Sequence, residues 1–372
     1  MMPRVFDTAI VGGGPAGTAT AIQLVHEGLS VLVLEASNYH RRRQGETLPP
    51  TITERLKRLN VLEPFLREGS KPAAGIVSLW GSPQPHVNDF LFGVHGSGWQ
   101  VHRSAFDKML ADHAATAGAT VWTSSRLLSR PLWNGEGWGF ETYHQGRQVR
   151  CVCRFLVDAT GRSGTPWLAH LSPRVVIDRL MGIAWIGKQS EESPYTLIES
   201  AEEGWFYCAA LPGKLSTIIY LTDSDIYRSK VKKFSNFWWH QLSRTSYSRK
   251  WLPKVANHSR LQLFSAASSV RMDAAGLGWC AVGDTALSYD PLSGLGVQQA
   301  LDSAARAAPA IKDFLDRNQP IDVYARWINK TFQKYVGARL RYYTSETRWL
   351  GSPFWQRRTQ LPIFANRTQP LR

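Results

Sequence analysis

Three clusters of small and acidic residues, far apart in the chain, have the types and spacing to hold a phosphorylated cofactor. The first is Gly12-Gly13-Gly14-Pro15-Ala16-Gly17, with Glu35 and Ala36 further on. In such a Gly-x-Gly-x-x-Gly turn Gly12 permits the bend, Gly14 lets backbone approach a pyrophosphate and Gly17 lets helix and strand pack closely. Phosphate would rest on free N–H groups at a positive helix end, and Glu35 can accept hydrogen bonds from both ribose hydroxyls. The second cluster is Asp158-Ala159-Thr160-Gly161, which puts small residues where a ligand comes close. The third is Gly283-Asp284, followed by Pro291-Leu292-Ser293-Gly294-Leu295-Gly296. Asp284 suits a sugar-chain hydroxyl, and the glycine-rich turn aims N–H groups at a helix start, where negative charge is stabilised. The first turn alone does not distinguish FAD from NAD.

Elements must bring these residues together. Val5–Val11 reads as a buried strand, Thr18 to about His26 as a helix stopped at Gly28, and Ser30–Leu34 as a second buried strand. Asn38 to Pro50 holds Arg41-Arg42-Arg43 and then Gly-Glu-Thr-Leu-Pro-Pro, an ordered loop leading to a helix from about Thr51. At least one arginine, with Arg43 the choice, is expected to face the dinucleotide. Gly75–Ser82 reads as a strand, and Phe90–Phe92 with Gly98–Arg103 as a further strand pair. Ser104 is a candidate N-cap for a helix from Ala105 to Ala117, with Arg103 ahead of it in reach of the cofactor. Ala119–Trp122 is a strand. A meander with turns at Asn134-Gly135 and Gln145-Gly146 ends in the strand Val149–Val157. From about Arg179 to Leu263 the pattern is strand-rich and aromatic, with a helix from Phe234 to Leu242. Gly278–Val282 is a strand before the third cluster, and a helix runs from there to about Leu315. The tail after about Ile321 is helical, basic and aromatic, with Trp327, Tyr335, Tyr342, Tyr343, Trp349 and Trp355.

Composition bounds the function. The 372 residues carry a net charge of +15, 43% hydrophobic residues and 15 tryptophans. The basic residues are scattered and no nucleic-acid-binding motif is present, so nucleic acid is not the expected partner. A basic face for an acidic protein partner fits better. No apolar run is long enough to span a bilayer, and the start of the chain shows no signal segment, so a cytoplasmic location without membrane insertion is expected. Cys151, Cys153, Cys208 and Cys280 have no metal-site or disulfide spacing and read as free thiols. No metal is expected.

Together, Gly12-x-Gly14-x-x-Gly17 with Glu35, Asp158-Ala159-Thr160-Gly161, and Gly283-Asp284 with Pro291–Gly296 resemble the FAD-dependent monooxygenases of the p-hydroxybenzoate hydroxylase type, which include flavin-dependent halogenases and geranylgeranyl reductases. The resemblance spans residues 5 to about 315. Ser78–Ser82, Asp89-Phe90, Gly96–Arg103 and Phe106-Asp107 are similar to a halogenase-related subgroup. That subgroup includes the flavoproteins that mature the quinone cofactors of lysine and glycine oxidases by oxygenating a tryptophan in the partner oxidase. Gly204-Trp205-Phe206-Tyr207-Cys208-Ala209-Ala210-Leu211-Pro212 stands where tryptophan halogenases carry Gly-Trp-x-Trp-x-Ile-Pro. Tyr207 and Leu211 depart from that pattern, which argues against chlorination. Lys71, in a Ser-Lys-Pro context, is the nearest candidate for the halogenases' catalytic lysine.

The resemblance implies an α/β (α+β) fold: a Rossmann-like FAD-binding domain with an inserted antiparallel β-sheet substrate domain and a helical C-terminal tail. The expected division is 1–75, 100–178 and 264–320 for FAD, 76–99 and 179–263 for substrate, and 321–372 for the tail. It further implies a monooxygenase that hydroxylates an aromatic ring through a flavin C4a-hydroperoxide. The ring would be a tryptophan of an oxidase precursor, with O2 as co-substrate and NAD(P)H or another reductant as electron donor. Expected FAD contacts are Gly12, Gly14, Pro15, Ala16, Gly17, Glu35, Ala36, Arg43, Arg103, Asp158, Gly161, Gly283, Asp284, Pro291, Ser293, Gly294, Leu295 and Gly296. Glu46 and His102 are the candidates for catalytic acid or base. The rival readings are a halogenase or hydroxylase of a small aromatic, a flavin reductase, and a flavin-carrying subunit without turnover.

Overall fold

A computed structural model describes residues 3–40, 43–188, 193–231, 236–253 and 261–360. Arg41, Arg42, the start of the helix expected from Phe234 and the end of the tail lie outside them. The strand Arg4–Val11 sits between Arg147–Asp158 and Val31–Leu34, parallel to both. Thr120–Trp122 extends the parallel set beyond Val31–Leu34, and Trp279–Ala281 lies parallel to the end of Arg147–Asp158. Trp138–His144 adds an antiparallel margin. Strands buried on both faces must be continuously apolar, and Val31-Leu32-Val33-Leu34 is buried throughout. Every parallel strand stops at the same side, at Val11, Leu34, Trp122, Asp158 or Ala281. In an open α/β sheet the carboxyl ends form the ligand crevice.

The helix after the first strand runs Pro15–His26, starting earlier than the expected Thr18 because Pro15 is preset for a first helical turn. It lies close against the sheet because Gly17 has no side chain. A Cβ there would stand 1.9 Å from the Gly12 carbonyl oxygen.

The second sheet takes strands from two distant parts of the chain. Its order is Gln262–Ser265, Leu180–Lys188, Leu215–Asp223, Gly204–Leu211, Tyr195–Ala201, Gly75–Leu79 and His86–Asp89. All neighbours are antiparallel except Tyr195–Ala201 and Gly75–Leu79, which run parallel. Two-residue alternation divides the faces. Leu197, Phe206, Cys208, Ile218 and Tyr220 form an outer core with Phe237, Trp238 and Leu242. Ile198, Tyr207, Ile219 and Leu221 face the other way, into a cavity shared with the first sheet. Many aromatics of this region are therefore core, while the inner face sets Tyr207 and Phe264 among aliphatic side chains.

Two local expectations are corrected. Phe90–Phe92 is a short 3-10 helix rather than a strand, because the Asp89 carboxylate caps it by accepting from Leu91 N at 2.8 Å. Gly98–Gln100 instead pairs with Thr47–Leu48 and Lys71–Ala73. The following helix is Arg103–Thr116, so Ser104 lies within its first turn and His102 takes the capping position.

The tail forms the helix Asp322–Thr344 and a short helix, Pro353–Gln356. Tyr324, Ile328, Phe332, Tyr335 and Val336 join the main core. Tyr343, Phe354 and Trp355 join Trp205 and Leu221 under the second sheet. The four cysteines are buried and free. Among the described residues no helix is long and apolar enough to cross a membrane, and no group of acids, histidines and cysteines could hold a metal ion.

Candidate cofactor and active site

The carboxyl ends of the parallel strands and the inner face of the second sheet enclose a cavity of about 1350 Å³. That exceeds the roughly 300–1,000 Å³ of a single-ligand pocket, so a second molecule has room beside a dinucleotide. Gly12, Gly14, Pro15 and Ala16 line it, with Glu35, Ala36 and Arg43. Arg103, Gly161 and Asp284 line it too, as do Pro291, Ser293, Gly294, Leu295 and Gly296 of one loop. Three other expected contacts lie behind the lining. Gly17 and Gly283 sit where backbone must pack: a Cβ on Gly283 would be 2.6 Å from the Ala16 Cβ. Asp158, fully buried, accepts from Thr160 N at 3.0 Å, from Thr160 Oγ1 and from Thr165 Oγ1. It shapes the turn that carries Gly161.

Glu35 is held ready by the chain itself. Its Oε2 accepts from Gly13 N at 2.8 Å, and its Oε1 accepts from Ser37 N at 2.9 Å and Arg43 Nη2 at 3.0 Å. Tyr39 hydroxyl donates to Gly13 O at 2.8 Å, clamping the glycine turn from outside. The residue that sequence reasoning missed is Asp107. It is wholly buried and pairs with Arg43 Nη1 at 3.0 Å and with Arg103 Nε at 3.0 Å. One carboxylate thus aims both arginines at the cavity. Its sequence signal is the i, i+4 spacing from Arg103 on a helix start. Arg162 was also missed: its Nε lies 3.3 Å from Asp284, and its Nη atoms donate to Ala267 O and Tyr289 O.

Two helices begin at the cavity without a side-chain cap, Pro15–His26 at Gly14 and Gly296–Arg317 at Leu295. A Cβ on Gly294 or Gly296 would meet nothing within 4 Å, so both glycines face open space. Uncapped N–H groups at two positive helix ends, one beside a carboxylate placed for a ribose, fit FAD at both its pyrophosphate and its isoalloxazine end.

Glu46 lines the cavity and is 4% exposed. Burial pushes its carboxyl up from the ordinary value, against the pull of the Gly45 N–H and the Arg103 charge. Nearby, Thr47 Oγ1 bonds Tyr207 hydroxyl at 2.8 Å and Thr196 Oγ1 at 2.9 Å. His102 is outside the lining, and so is Lys71, which lies on the small strand Lys71–Ala73. Among the described residues the lining contains no lysine.

An FAD-binding fold with an adjoining apolar chamber defines a class of flavoenzyme, and comparison with known proteins places the chain in it. The FAD binding domain family model matches residues 5–316. A Marinomonas mediterranea protein, LodB, described as an FAD-dependent oxidoreductase, is 31% identical over 363 residues, covering 95% of this chain and 96% of LodB. The flavin-dependent halogenase gsfI of Penicillium aethiopicum is 26% identical over 348 residues, 83% of this chain and 65% of that enzyme. Among solved structures, the myxobacterial chondrochloren halogenase CndH superposes with a TM-score of 0.86 at 22% identity, covering 97% of this chain and 87% of CndH. The peptidyl tryptophan dihydroxylase QhpG, essential for tryptophylquinone cofactor biogenesis, superposes with a TM-score of 0.79 at 23% identity, covering 100% of this chain and 81% of QhpG. The chain belongs to the FAD binding domain family and is an FAD-dependent oxidoreductase.

Proposed function

We propose that this enzyme is a monooxygenase that hydroxylates an aromatic ring, and that the ring is a tryptophan side chain of a partner oxidase precursor on its way to a tryptophylquinone. The observation that carries the reading is the shared cavity. The loop Pro291–Gly296 and the side chains Ile76, Ile198, Ile219 and Leu221, with Tyr207 and Phe264, line one cavity. An apolar wall orients an aromatic ring and keeps water from a reactive oxygen species. When bound and reduced, FAD supplies the two electrons with which O2 yields one oxygen atom for the ring and one for water. NAD(P)H or another reductant provides those electrons.

The chain's own residues do the rest. Uncapped helix ends bind the phosphates and stabilise negative charge on the reduced ring. Arg43 and Arg103, aligned by Asp107, orient the cofactor. Glu46, whose carboxyl burial pushes up from its ordinary value, lines the cavity beside Gly45 and Thr47. The Tyr207 hydroxyl, bonded to Thr47, gives that lining a polar contact where the halogenase pattern has an indole. A protein substrate is supported by the net charge of +15, which steers an acidic partner, and by the likeness to QhpG, whose substrate is a peptidyl tryptophan.

The test is mass spectrometry of a quinoprotein oxidase precursor co-expressed with and without this protein. A gain of one or two oxygen atoms on a single tryptophan, seen only in its presence, is expected. An unmodified precursor beside flavin-loaded protein sinks the protein-substrate reading. The second reading, halogenation of a small aromatic, draws on the likeness to CndH and gsfI. Halide-dependent turnover would favour it, against the absence of lysine from the described lining.

A further inference from the structure

The tail helix Asp322–Thr344 does more than complete the core: it reaches the cofactor loop through one buried carboxylate. Asp290 stands directly before Pro291 and is 1% exposed. Its Oδ1 accepts from Leu292 N at 3.0 Å and so shapes the loop. Its Oδ2 faces the tail, accepting from Tyr343 hydroxyl at 2.8 Å and from Arg339 Nε at 3.4 Å. Its own N–H donates to Tyr335 hydroxyl at 2.8 Å, and the Tyr335 ring stacks on Tyr289 with centroids 4.5 Å apart. Three residues of one helix, about a turn apart, thus grip the two residues that lead into the loop.

The same side chains continue to the second sheet. Arg339 Nη2 donates to Asp178 at 3.1 Å, and Asp178 caps the start of the strand Leu180–Lys188 through Leu180 N at 3.0 Å. Tyr343 hydroxyl accepts from Trp205 Nε1 at 3.2 Å. The loop that faces the cofactor and the sheet that walls the substrate chamber are therefore tied to each other through the tail. Arg339 is the cation between two buried carboxylates, Asp178 and Asp290, with its side chain 6% exposed.

We propose that Arg339 and Tyr343 are positioning residues that set the Pro291–Gly296 loop against the flavin through Asp290. The proposal concerns cofactor placement and stands apart from the identity of the hydroxylated substrate. Without Arg339 two carboxylates lose the cation that bonds them both, with only Arg358 left nearby, and the loop's N–H groups lose their fixed aim at the ring, where reduction deposits negative charge.

The test uses the full chain with FAD and reads flavin affinity and flavin midpoint potential beside melting temperature. Arg339→Met is expected to weaken FAD binding about tenfold, the scale of one charge-assisted hydrogen bond, and to move the potential to more negative values. Arg339→Lys restores the charge and is expected to recover part of both. Tyr343→Phe keeps the packing and is expected to shift both in the same direction by less. A merely structural role would lower the melting temperature and leave the potential of the bound flavin unchanged. A folded Arg339→Met with wild-type affinity and potential overturns the proposal. Where that variant fails to fold, wild-type values in Tyr343→Phe overturn it instead.

Discussion

At the scale of single residues, the site is built from acids whose roles differ by environment. Glu35 and Asp284 lie on the cavity, and each already holds an arginine, Arg43 or Arg162. Replacing either acid by alanine is expected to weaken FAD binding at least about tenfold, since a charge-assisted bond to a sugar hydroxyl is lost; fluorescence titration of the flavin checks it. Asp107 lies outside the cavity lining yet serves two arginines. Asp107→Ala leaves two guanidiniums without their common partner and is expected to cost about 3 kcal/mol of stability, read by calorimetry of the flavin-free protein. Glu46 predicts a pH effect. Its carboxyl is raised by burial, so the folded chain keeps a proton that the unfolded chain releases as pH climbs past the ordinary carboxylic range. The stabilisation is complete at lower pH and is lost as pH rises through the raised value. Glu46→Gln does not titrate, so its melting temperature should fall less over that interval than the wild type's.

At the scale of elements, close approach governs the cofactor half. Gly17→Ala puts a methyl group into the Gly12 carbonyl and near the Ala159 Cβ at 3.0 Å. The helix must lift from the sheet, and the variant is expected to purify without flavin and to melt well below the wild type, as absorption at flavin wavelengths and a thermal scan would show. This element was readable in sequence because its constraint is local: strand, turn and helix follow one another, and glycine spacing reports the contact. The strands running into Asp158 and towards Gly283-Asp284 were readable for the same reason, to within a residue or two at their ends. Phe90–Phe92 was misread because three apolar residues suit a strand or a turn, and Asp89 decides between them by capping. Asp107 was only half legible: its i, i+4 spacing from Arg103 is local, but its second partner, Arg43, arrives from another element. The tail's aromatics could be counted, but Tyr335, Arg339 and Tyr343 acquire a role only when Asp290 is placed beside them.

At the scale of the whole molecule, charge and topology matter most. With a net charge of +15, association with an acidic partner should be fast at low ionic strength and slow sharply as salt is added, because exposed charges are screened within a Debye length of roughly 8 Å at physiological salt. Stopped-flow binding across a salt series checks this, and a flat response would remove the steering argument. The two sheets are threaded through each other in a way that bears on how the protein is made. Gly75–Leu79 pairs with Tyr195–Ala201, and Arg147–Asp158 with Trp279–Ala281, each across long intervening chain. During synthesis Gly75–Leu79 must wait with one edge open until its parallel neighbour has emerged, and Arg147–Asp158 must wait likewise. Non-local pairing of this kind is slow, and open apolar edges invite association between chains. The amount of active enzyme a cell obtains is then expected to depend on the pace and temperature of translation as well as on the stability of the finished fold.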